Sequence, residues 1–189
     1  MWNEQIIMML LEGIKDTLYM TLTSTLIGYV IGLPMGILLT VTDKDGIHPN
    51  AAVYKVLDVI ANLIRSVPFL ILLIVLIPFT RFLIGRSYGP TATIVPLVIA
   101  AAPYIARMVE SSLKEVDAGV IEAARSMGAS NFTIVTKVML VEARTSLIVG
   151  ATISLGTILG YSAMAGTVGG GGLGESQSAM VIPDGRPIS

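Results

Sequence analysis

Four long apolar stretches, at about 18–41, 56–79, 91–107 and 145–166, are separated along the 189-residue chain by short polar segments. A helix needs about 20 predominantly apolar residues to cross a hydrocarbon core, and each stretch lies in or near that range. None shows the sustained two-residue alternation of a membrane strand. The pattern predicts an all-α, polytopic transmembrane helix bundle. Ahead of the first stretch, Ile6, Ile7, Leu10, Leu11 and Ile14 share one helical face, with Glu4, Gln5, Glu12 and Asp16 mostly opposite. Residues 4–16 therefore read as an amphipathic helix lying in the membrane interface. Pro34, Pro68 and Pro103 fall inside spans, with Gly32 and Gly36 beside the first. Kinked helices follow, in a bundle whose neighbours satisfy the freed backbone groups.

Composition agrees. The chain is 53% hydrophobic and 13% charged, with mean hydropathy +0.80. Soluble domains carry about 25% charged residues, so this is an integral membrane protein. Net charge is −1. With Lys and Arg dispersed, no basic stripe points to nucleic acid. The absence of cysteine excludes disulfides and thiolate chemistry. His48, the single histidine, reads as a solvated loop residue. The N-terminus has no positive region ahead of a cleavage site, so no cleaved signal peptide is read.

Lys and Arg near the spans set the orientation. Lys44, Lys55, Arg107, Lys114, Arg125, Lys137 and Arg144 would share one side, seven in all, against Lys15, Arg81, Arg86 and Arg186 on the other. The loop around Glu122 is then cytoplasmic and the N-terminus outside.

Residues 108–144 form a loop between the third and fourth stretches, with a polar island at 122–142. Asp117 is a good N-cap for a helix over 118–127, and its charge suits the helix N-terminus. Gly128 suits the left-handed position that ends such a helix. Ser130 caps a second helix running through Val138 into Leu140, with Ile134, Val138 and Leu140 anchoring it. Ala123 and Ala124 keep one face thin enough for a partner's groove, and Glu122 offers that partner a single anion.

The spacing Glu122-Ala123-Ala124, three residues, Gly128, nine residues, then Val138-x-Leu140 resembles the EAA loop of the permeases of type-I ABC importers. Val141 departs from that pattern, which usually has proline there. Glu142, the run Arg65-Ser66-Val67-Pro68-Phe69, the run to Pro78-Phe79-Thr80-Arg81, and Gly160-Tyr-Ser-Ala-Met-Ala-Gly-x-Val-Gly-Gly-Gly-Gly-Leu-Gly174 are similar to the methionine-import branch. The resemblance covers about residues 4–174. It implies the type-I permease fold over 1–174, in the bacterial cytoplasmic membrane. It implies a homodimer working with cytoplasmic ABC ATPase subunits and an extracytoplasmic substrate-binding protein. A small molecule, methionine in its D or L form, would cross by alternating access. Glu122, Ala123, Ala124 and Gly128 would couple to the ATPase, and the permease itself would be no enzyme and need no cofactor.

Other residues are candidates for the translocation path. Arg65 lies deep in the second stretch, where a charge is functional by default. Its structural alternative is to snorkel to the cytoplasmic edge or pair with Asp58. Tyr161, Ser162 and Met164 follow Gly150-x-x-x-Ser154 and Gly156-x-x-x-Gly160, whose small residues allow close helix packing. The alternative for them too is packing. The glycine-rich run 169–174 lacks the Gly-Lys-Ser/Thr ending of a phosphate loop. Asp43, Asp45 and Gly46 faintly echo a calcium loop but read as a solvated turn. No paired carboxylates, Ser/His/Asp set or metal-binding histidine pair supports an active site.

The family has a fifth span after the Gly-Leu-Gly turn. Here the sequence reads instead as an atypical polar tail, 175–189. Three alternatives therefore stand: the same fold carrying another amino acid or a quaternary amine, an ATP-independent channel or secondary transporter, and an inactive truncated fragment.

Overall fold

The computed structural model describes residues 4–179. These form α1 (Glu4–Thr42), α2 (Ala51–Ser66), α3 (Phe69–Val75), α4 (Ile77–Ile84), α5 (Pro90–Lys114), α6 (Ala118–Ser126) and α7 (Asn131–Thr133). A π-helical segment, Ile134–Met139, follows, then α8 (Leu140–Glu142), α9 (Arg144–Gly166) and α10 (Gly172–Ala179). No strand occurs among the described residues.

Two expected elements turn out to be one. The interfacial helix over 4–16 and the span over 18–41 are a single uninterrupted α1. Its buried stripe includes Gly13, Thr17, Met20, Thr21, Ser24, Gly28, Gly32, Gly36 and Leu39, mostly small or hydroxyl-bearing. Leu18, Leu22, Leu26 and Val30 face outward. That inversion fits a lipid solvent. Apolar tails give no hydrophobic gain for burying leucine, so small residues that let backbones approach take the contacts.

The opposite correction falls on the stretch 56–79. Expected as one kinked span, it is broken into α2, α3 and α4. Pro68 has φ −56° and ψ 136° at the start of α3. Proline supplies no N–H and pushes the preceding Val67 out of helical geometry. Pro34 and Pro103 stay inside intact helices. By length and apolarity α1, α5 and α9 are each able to span a membrane, and the broken pair α2–α3 makes a fourth if counted as one. Helix α5 also continues past the expected 91–107 to Lys114.

The chain divides into two compact units. The first comprises the described parts of Met1–Ile27, Val67–Ala100 and Leu155–Ser189. In it Phe69 and Tyr161 stack at 4.6 Å between ring centroids, 6° from parallel. Thr21 donates to Ser162 at 3.5 Å, and Thr93 donates to the Gly170 carbonyl at 3.0 Å. The expected tail begins inside α10, which packs on α1: Leu173 N–H donates to Thr17 Oγ1 at 2.9 Å, and Ser176 is buried against Gly13. The remainder of the tail, including Arg186, lies outside the described residues.

The second unit comprises Gly28–Ser66 and Ala101–Ser154. Its core is the seam between α1 and α5. A Cβ on Gly32 would stand 2.6 Å from the Ala102 carbonyl oxygen, and one on Gly36 2.5 Å from that of Ala106. Only glycine permits this approach. Ile105 and Val109 fill the flanks of the seam, with Leu113 buried one turn further along α5.

Candidate coupling surface and charge ladder

The polar island folds as its capping residues dictate. Asp117 is the N-cap of α6, its carboxylate accepting from Gly119 N–H at 2.7 Å. Gly128 has φ +79° and ends the turn, donating its N–H to the Arg125 carbonyl at 3.0 Å. Ser130 caps α7, accepting from Thr133 N–H at 3.3 Å. What the sequence did not show is the π-helical segment. Its ladder closes five residues apart, so residues five apart stack on one side. Ile134, Val135 and Met139 are accordingly the buried anchors, whereas Val138 and Leu140 are only half-buried.

On α6, Ala124 is buried while Glu122 and Ala123 are exposed. Met127 and Phe132, which sequence reasoning passed over, are 81% and 78% exposed. Two large apolar side chains thus stand exposed on either side of Gly128 in sequence. Arg125 points back into the molecule, donating to the Ile47 carbonyl at 2.8 Å. A cleft of about 640 Å³ opens beside this contact, lined by Asp43, Lys44, Ile47, Lys114, Glu122 and Arg125 among others.

Asp43 is not the solvated turn residue that its sequence context suggested. Lys114 Nζ lies 2.7 Å from its carboxylate, which is 16% exposed. The hydrogen bond from Lys114 holds the Asp43 carboxyl below the usual carboxylate range, against a smaller opposing effect of burial. The ion pair belongs to a longer ladder. Lys114 also bonds Glu110 Oε1 at 2.8 Å, and Arg107 bonds Glu110 Oε2 at 2.7 Å. Arg107 in turn bonds the carboxylate of Asp58 and the amide oxygen of Asn62, the latter at 3.0 Å. Glu110 is 5% exposed. A buried carboxylate is costly unless paired, and here each oxygen has its own cation. Asp58 thus pairs with Arg107 and not with Arg65.

Arg65 sits exposed in the last turn of α2, its guanidinium 6.0 Å from the centre of the Tyr104 ring. Tyr161 is half-buried on its stack with Phe69, and Met164 is exposed. Ser162 is buried and donates to the Leu159 carbonyl at 2.8 Å. Its hydroxyl is thus engaged in helix packing. A Cβ at Gly156 or Gly160 would meet nothing within 4 Å among the described residues, so these small faces are open there.

Apolar helices long enough to span, with small residues turned inward, and a capped polar helix pair between two of them, define a multi-pass membrane protein. Residues 8–181 match the family of the binding-protein-dependent transport system inner membrane component. The chain belongs to that family. It is 51% identical over 164 residues to the D-methionine transport system permease protein MetI of Escherichia coli K12, covering 87% of this chain and 76% of that one. It is 53% identical over 160 residues to the probable D-methionine permease of Pasteurella multocida, covering 85% and 74%. Among solved structures it superposes on the inward-facing MetNI methionine ABC transporter with TM-score 0.90 at 51% identity, covering 92% of this chain and 81% of that one. An amino acid ABC transporter crystallised with histidines shares the fold at TM-score 0.78 and 22% identity, covering 97% and 83%.

Proposed function

We propose that the chain is the transmembrane subunit of an ATP-driven methionine importer of the bacterial cytoplasmic membrane. It acts as a homodimer, with two copies of a cytoplasmic ATPase and an extracytoplasmic binding protein that delivers the amino acid. The observation that carries the coupling part is the α6–Gly128–α7 turn. Its backbone is fixed by Asp117 and Ser130, its Arg125 is tethered to the 43–50 turn, and Met127 and Phe132 stand free for a partner. Identity near one half to D-methionine permeases supports the substrate.

In this mechanism the permease contributes no bond-making chemistry. ATP binding draws two ATPase copies together, and each carries the α6 element docked on it. The bundle then opens outward to receive substrate, and hydrolysis resets it. Glu122, Ala123, Ala124 and Gly128 form the docking element. Arg65, Tyr161, Ser162 and Met164 are assigned to the translocation path, Ser162 as a packing group on its wall.

The test is uptake of labelled methionine by cells lacking their own methionine importers but supplied with this protein, its cognate ATPase and its binding protein. Uptake that requires the ATPase and is competed by unlabelled methionine is the expected result. Uptake that persists without the ATPase would instead establish a channel or secondary transporter.

A further inference from the structure

We propose that Glu110 is a positioning residue for transport, the middle of a strut that makes α2 follow displacements of α6. The proposal rests on the docking role of α6 given above.

The strut is continuous. From α6, Arg125 grips the Ile47 carbonyl. The turn carrying Ile47 is folded onto the end of α1, with His48 N–H donating to Val41 at 3.0 Å and Asn50 N–H to Thr42 at 2.9 Å. Asp43, in the same turn, binds Lys114 at 2.7 Å. Lys114 and Arg107 sit four residues after and three before Glu110 on α5, and each takes one of its oxygens. Arg107 then reaches Asp58 and Asn62 on α2.

Helix α2 is largely exposed along its length. Its one fully buried residue is Ala61, while Val56, Val59 and Leu63 are 53–65% exposed. Its other contacts include the Arg65–Tyr104 contact, Tyr54, whose ring centre lies 5.9 Å from Lys114 Nζ, and the half-buried Leu57 and Ile64. A helix fastened by apolar packing can slide while keeping most of its contacts. One fastened by alternating charges cannot, because each cation is shared between two fixed carboxylates. Glu110 is the shared link, and without it Arg107 and Lys114 no longer hold a common partner.

The experiment uses the complete transporter in proteoliposomes and reads methionine taken up per ATP hydrolysed. Asp43→Asn and Asp58→Asn break opposite ends of the strut, and Glu110→Gln removes its middle at constant size. Each is expected to lower uptake per ATP about fivefold or more while ATP turnover stays within about twofold, a coupling loss of ordinary allosteric size. The double variant of Asp43 and Asp58 should be no worse than the poorer single one, because either cut severs the same strut. A merely structural role would lower stability and leave uptake per ATP intact. Unchanged uptake per ATP in the two end variants, or losses that multiply in the double, would overturn the proposal. Gly128→Val, run in parallel, separates the two readings. If it uncouples and the end variants do not, only the strut fails; if it too has no effect, the docking role of α6 fails.

Discussion

Gly36 of α1 and Ala106 of α5 approach so closely that a Cβ on the glycine would stand 2.5 Å from the alanine carbonyl oxygen. The obstacle is backbone, so no side-chain rotation relieves it. Gly36→Ala and Gly32→Ala are each expected to lower stability by about 1–3 kcal/mol, the usual cost of overpacking. Gly160→Ala, where the added Cβ meets nothing within 4 Å, should leave the isolated chain unchanged. Thermal unfolding in detergent compares the three.

Arg107 is held by Asp58, Asn62 and Glu110. Arg107→Met strands Glu110 with one partner instead of two in a buried site. Removing one member of a buried ion pair costs about 3–5 kcal/mol. Because Lys114 still binds Glu110, the lower part of that range is expected from unfolding curves.

Asp43 gives the ladder a pH signature. Its carboxyl is held below the usual range chiefly by Lys114, so ionisation is easier in the folded protein than in the unfolded chain. The stabilisation is fully present above the unfolded value of about 3.9 and fades as pH falls through the lower folded value. Lys114 is 43% exposed, so solvent screens the pair and its worth is on the order of 1 kcal/mol. Asp43→Asn should therefore be less stable than the parent at pH 7 and pH 5. The difference should shrink as pH falls below about 4, the unfolded carboxylate value.

Phe132 and Met127 are largely exposed. Replacing both by serine is expected to leave the unfolding temperature of the isolated permease unchanged, since exposed substitutions usually stay within about 0.5 kcal/mol. Co-purification of the ATPase should fall sharply. Equal retention of the ATPase by parent and variant would remove these side chains from the docking surface.

What the sequence revealed was local chemistry. Asp117, Gly128 and Ser130 announce two helix starts and one stop because capping depends on residues two or three positions away. The apolar stretches announce helices because hydrocarbon thickness fixes their length. Long-range or context-dependent features stayed hidden. The Asp58–Arg107 and Asp43–Lys114 pairs join residues far apart in the chain, and no spacing rule connects them. The break at Pro68 and the intact helix around Pro34 use the same residue type with opposite outcomes, so the residue alone does not announce a break. The π-helical register moved the anchors from Val138 and Leu140 to Val135 and Met139, with Ile134 kept. The buried face of α1 was not legible, because the side built of small residues, and not the most apolar one, is turned inward.

The most direct test of the account is ATP-dependent methionine uptake by the complete transporter carrying Gly128→Val together with Glu122→Ala. Valine disfavours the φ of +79° that Gly128 adopts, and the exposed glutamate is removed without touching the bundle. The account predicts that the permease folds and inserts normally while uptake is abolished and ATP turnover no longer responds to the loaded binding protein. Uptake at the parental rate from the folded double variant would contradict it.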